Sequence, residues 1–138
     1  MKRARIVVAA GLILAVVLTN SLVSVADPKS SGKPYKPVQN VERMMGSQKK
    51  IMQDIKTCID EKSWRDGATS AWILAEMANS NHYQRDDAAY QKFADDMSGQ
   101  CVELAKLMKK ADAGACKEQV NKIGKTCNAC HDQFKKRR

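Results

Sequence analysis

Residues 115–136 read ACKEQVNKIGKTCNACHDQFKK. Within this stretch Cys116, Val120, Ile123, Cys127, Cys130 with His131, and Phe134 recur at steps of three and four. Such steps put side chains on one face of an α-helix, and neither a proline nor a run of β-branched residues interrupts them. The spacing predicts one long helix with a single stripe to bury. A lone helix cannot bury that stripe, so its partners must lie upstream.

Working outward, Ala111-Asp112-Ala113-Gly114 forms the turn that opens this helix. Before it, a stripe of Tyr90, Phe93, Met97, Cys101, Leu104 and Met108 predicts a helix from about Asp86 to Lys110. Ser63-Trp64-Arg65-Asp66 resembles a capping box and opens a helix marked by Trp64, Ala68, Ala71/Trp72, Ala75 and Ala78, which Asn79-Ser80-Asn81 ends. The earliest helix is expected from about Val41 to Glu61, with Val41, Met44/Met45, Ile51/Met52, Ile55 and Cys58/Ile59 on one face. Four helices of about 20 residues with short connections predict an all-α fold, an antiparallel up-down-up-down four-helix bundle over residues 41–138. Its stripes are thin in Leu, Ile and Val, so packing around a large apolar group would help it.

Residues 27–40 (DPKSSGKPYKPVQN) hold all three prolines and read as a flexible linker. Residues 1–26 read as a signal peptide. A cationic start (MKRAR) precedes an apolar run from Ile6 to Leu18, and Ser24 and Ala26 are the small residues of a cleavage site before Asp27. The run is shorter than the ~20 residues a membrane span needs. The expectation is export to the periplasm of a bacterial cell envelope, with no stable membrane span after cleavage. The net charge is +9, but Lys2, Arg3 and Arg5 cluster at one terminus and Lys135, Lys136, Arg137 and Arg138 at the other. No basic stripe interleaved with aromatics runs between them, which argues against nucleic-acid binding. With 2 histidines and no triad or metal–carboxylate cluster in view, nothing points to an enzyme.

The chemistry is concentrated in Cys127-Asn128-Ala129-Cys130-His131, a C-x-x-C-H pattern of the kind that attaches haem. Positions i, i+3 and i+4 of a helix leave the same face. Two thiols one turn apart can therefore reach two vinyl groups, and the following imidazole can ligate the iron. A dithiol redox motif would instead sit at a helix N-terminus after a strand. Structural zinc needs four ligands, and only three converge locally. The reading is one covalent haem c, with His131 as its protein ligand.

Residues Ile123 to Lys135, IGKTCNACHDQFK, resemble the C-terminal helix of the cytochrome c′ family, the class II c-type cytochromes. The resemblance implies a four-helix bundle with the attachment motif near its C-terminus, and a homodimer. The family often carries arginine four residues past the haem histidine, where this chain has Lys135. It also implies that the residue facing the iron comes from the first helix. A leucine there leaves a five-coordinate, gas-binding iron, whereas a methionine gives the low-spin electron-transfer branch.

Level arithmetic agrees. His131 lies about 19 residues from its turn, and at ~1.5 Å per residue the matching first-helix positions are 43–46, where Met44 and Met45 stand. Met45 keeps a seven-residue step to Met52, is expected to continue the core stripe, and is the preferred sixth ligand. Methionines at helical spacing also fill cores, and His82, at the haem end of the bundle, is the one other histidine. The expected function is a mono-haem carrier of single electrons, steered by its basic tail to an acidic redox partner protein. The alternative is a five-coordinate haem protein that binds NO or CO. Cys58 and Cys116 lie about four residues from their turns on neighbouring helices, a geometry that allows a disulfide in an oxidising compartment. Cys101 is expected to remain a buried thiol.

Overall fold

The computed structural model describes residues 35–135. The expected signal peptide, linker residues 27–34 and the basic residues Lys136, Arg137 and Arg138 lie outside them. The elements are α1 (Val41–Asp60), α2 (Trp64–Asn81), a short 3-10 turn (His82–Gln84), α3 (Ala88–Lys109) and α4 (Ala113–Phe134). They form an all-α four-helix bundle, as the stripes predict.

Three of the four helices, α1, α3 and α4, begin where a side chain satisfies an orphan backbone N–H. Asn40 accepts from the Arg43 N–H at 3.0 Å, Asp87 from Tyr90 at 2.9 Å and Asp112 from Ala115 at 3.0 Å. Asp87 and Asp112 fix the starts of α3 and α4, each about two residues from its expected position. Ser63 departs from the capping-box expectation, because its side chain caps nothing. Its backbone is already engaged in closing α1. The Ser63 N–H reaches Cys58 O at 2.8 Å and the Lys62 N–H reaches Ile59 O at 3.3 Å, with Lys62 at φ 59. That pair of bonds around a left-handed residue is a Schellman closure. The α3–α4 turn repeats the device with Ala111 at φ 56, its N–H bonded to Met108 O at 2.9 Å. Neither turn uses glycine, so each holds a side chain in a backbone region that disfavours one.

Among neighbouring helices, packing is most extensive between α2 and α3 and thinnest between α1 and α4. The buried face of α2 is mostly alanine (Ala68, Ala71, Ala75, Ala78), which lets α3 approach closely and seat Leu104, Ala105 and Met108 against it. Among the described glycines, Gly67 is the one most closely surrounded. A methyl group there would stand 2.8 Å from Met108 Cε and 3.0 Å from Cys58 Cβ. Two positions left open in the stripes are resolved. Ala71 is buried while Trp72 faces outward beneath Lys109, and Met44 is buried while Met45 is half-buried.

The last residues of the expected flexible linker are tied to the bundle. The Tyr35 hydroxyl meets Ser80 Oγ at 2.8 Å, its ring packs on Tyr83, and Gln39 O accepts from Gln84 Nε2 at 2.7 Å. No helix among the described residues is long and apolar enough to cross a membrane.

Candidate functional site

The rotation of α4 about its own axis decides where the attachment motif points, and contacts on both flanks fix it. On one flank the amide of Gln100 in α3 meets the Thr126 hydroxyl at 3.0 Å, and Gln119 Nε2 donates to Gln100 O at 2.8 Å. On the other, Lys117 pairs with Asp60 of α1 at 3.1 Å. At 3.6 residues per turn, Cys130 lies about 20° from Gln119, on the α3 side, while His131 lies about 40° from Lys117, on the α1 side.

The thiols accordingly face α3. Cys127 Sγ stands 3.9 Å from Met97 Sδ, and both cysteines are half-buried. Burial is the main influence raising both thiols, and the guanidinium of Arg85 partly offsets it at Cys130. They are protonated, solvent-shielded sulfurs near the end of a helix. That is opposite to the lowered-pKa thiolate at a helix start that dithiol oxidoreductases use. Cys101, fully buried beneath Cys127, is pushed up to about 12 by burial first and by Cys127 second, and is an inert core thiol as expected.

The same rotation argument separates the two methionines of α1. Cys58 sits against Gly67 of α2, and Asp60 reaches α4. Met44 lies about 40° from Cys58 around the helix and is 8 % exposed, so it fills the core toward α2. Met45 lies about 60° from Asp60, on the flank turned to α4 that His131 faces from the other side. Across this thin seam Gly124, on the same flank of α4 as His131, has open space where a Cβ would be. The expectation that Met45 continues the buried stripe is corrected: the stripe runs through Met44 and Gln48.

Two other candidates stand apart. His82 Nδ1 pairs with Asp95 at 2.8 Å on the outside of α3. The suggested Cys58–Cys116 disulfide is absent. Both are free thiols, Cys58 standing on the α2 side of its helix and Cys116 fully buried. Residues that the sequence did not single out for the site also gather here. Tyr90 is 4 % exposed with a hydroxyl that has no partner among the described residues, and Arg85 stands 5.1 Å from the ring centre of Phe134. Tyr90 was legible only as a core position, and Arg85 lies in an irregular connection where periodicity carries no signal.

Residues 75–135 match the family described as cytochrome C′. This part of the chain, from within α2 through α4, is similar to the cytochrome c′ family. A cytochrome c′ of Rhodocyclus tenuis is 51% identical over 35 residues, which cover 25% of this chain and 26% of that relative. The chain thus matches about a quarter of the relative's length. No solved structure matches it. That likeness implies a c-type cytochrome with covalently bound haem c. The residues present fit that group. Half-buried Cys127, Cys130 and His131 share one face of α4, Met45 is half-buried on α1, and a buried hydroxyl on α3 has no partner among the described residues.

Proposed function

We propose that this cytochrome is an exported carrier of single electrons in the bacterial cell envelope. One haem c is held through Cys127 and Cys130, with His131 and Met45 as its axial ligands. The observation that supports this reading most directly is the position of Met45, on the flank of α1 turned toward α4 and spared from the core by its neighbour Met44. The haem supplies reversible one-electron exchange, and the protein sets the conditions. His131 donates from one flank. Met45 supplies a thioether, which favours the ferrous state relative to a second imidazole and raises the potential. With His131 and Met45 both holding the iron, exogenous gas would have no ready place to bind, and the chemistry would reduce to electron passage. Nothing in the arrangement activates a substrate, so the reading is a carrier and not an enzyme. Exposed Lys135 stands one turn beyond His131, and with the basic residues that follow it in the sequence it suits an acidic redox partner.

The competing reading is a five-coordinate, gas-binding iron. Optical spectra of the haem-loaded protein with and without carbon monoxide decide between them. The wild type is expected to be low-spin, with a sulfur–iron charge-transfer band, and indifferent to carbon monoxide. Met45→Leu is expected to become high-spin and bind the gas at once, whereas Met44→Leu keeps the wild-type spectrum. A wild type that binds carbon monoxide readily overturns electron carriage in favour of gas binding.

A further inference from the structure

Three side chains outside the attachment motif converge beside Cys130. Tyr90, in the first turn of α3, is 4 % exposed, and its hydroxyl has no hydrogen-bond partner among the described residues. Phe134, one turn beyond Cys130, meets the Tyr90 ring edge-on at 5.4 Å. The guanidinium of Arg85 lies over both rings, 5.5 Å from the centre of Tyr90 and 5.1 Å from that of Phe134. Cation–π contact holds it there, and no ion pair among the described residues includes it. The nearby carboxylate of Asp87 is committed to capping α3 at the Tyr90 N–H.

A buried hydroxyl seeks an acceptor, and a fixed guanidinium is a fork for a carboxylate. Burial is the larger influence raising both Tyr90 and Cys130, and Arg85 lowers both, so the three groups share one electrostatic neighbourhood. Arg85 is exposed while Tyr90 is buried, which places their donors at the border between core and water. That border suits the propionates, the anionic side groups of an otherwise apolar haem.

We propose that Arg85 and Tyr90 form the carboxylate anchor of the haem, their guanidinium and hydroxyl donating to a propionate of the group attached at Cys130. The assignment rests on haem attachment at Cys127 and Cys130, and it is independent of which residue is the sixth ligand.

The test uses the full haem-loaded protein and the variants Arg85→Gln, Arg85→Lys and Tyr90→Phe. Its readouts are the resonance Raman band of propionate bending and the midpoint potential. Arg85→Gln and Tyr90→Phe each shift the band to lower frequency, because the carboxylate loses a hydrogen bond. Arg85→Lys shifts it less. Arg85→Gln also lowers the potential, since losing a cation beside the haem favours ferric iron. A role confined to stacking on Phe134 would lower the unfolding midpoint while leaving band and potential in place, and that result overturns the anchor. Should Arg85→Gln fail to accumulate, Tyr90→Phe and Arg85→Lys carry the same two outcomes. Wild-type protein without covalent haem on a denaturing gel overturns the attachment itself, an outcome distinct from an unmoved band in a loaded protein.

Discussion

At the end of the bundle that carries the two tight turns, Ile55, Leu104, Met108 and Cys116 are fully buried, and Gly67 brings α1, α2 and α3 into contact. At the opposite end Gln48, Asn81 and Tyr90 each bury a polar atom that has no partner among the described residues. Cys127, Cys130, His131 and Met45 are all half-buried there. The turn end is closed by the chain's own side chains. The other end collects thiols, an imidazole, a thioether and unpartnered polar atoms, a mixture that makes a poor protein core and a suitable lining for a haem. One helical repeat thus builds both a self-sufficient core and a cofactor site, by changing the residues placed on the stripe.

The comparison can be broken most decisively at Leu104. Leu104→Ala removes a fully buried side chain from the closed end and is expected to cost about 3 kcal/mol in urea unfolding, leaving the haem spectrum unchanged. A spectral change would mean that the two ends are coupled. Alkaline titration sharpens the same point. A thiol whose folded pKa is raised stabilises the fold fully below its ordinary value near 9.0 and loses that contribution as pH rises toward about 12. Unfolding free energy should therefore fall across that window, by at most about 1.4 kcal/mol per pH unit from this group, and Cys101→Ala should flatten the fall. Gln48→Leu tests the open end. Replacing a buried, unpartnered amide with an apolar side chain should stabilise the haem-free chain by about 1 kcal/mol. A loss of that size would show Gln48 to be satisfied. The smallest effect is expected at the turn, where Ala111→Gly relieves a left-handed alanine and should gain about 0.5–1 kcal/mol, read as a modest rise in melting temperature.

Much of this was legible in advance because helical periodicity is a local property. The stripes from Val41 to Phe134 placed the helices, and C-x-x-C-H named its own chemistry, since thiols and imidazole at i, i+3 and i+4 share a face whatever surrounds them. Helix starts were less legible. Ser63 looked like a capping residue, yet its N–H closes α1 and its hydroxyl caps nothing, while Asp87 and Asp112 do the capping. The choice between Met44 and Met45 was poorly legible from period alone, because adjacent residues lie about 100° apart and either can edge a stripe.

Spacing within single helices was enough to read the helical class, the number of helices and the shared face of Cys127, Cys130 and His131. Only the tertiary structure decided which flank each residue occupies. Lys117 against Asp60 and Gln100 against Thr126 set the rotation of α4, sending the thiols toward α3 and His131 toward α1. Cys58 against Gly67 set α1, giving Met44 to the core, Met45 to the seam and no disulfide to Cys116. The arrival of Arg85 over Tyr90 and Phe134 joins a loop and two helices, and contacts between segments so distant in the chain leave no periodic trace in it.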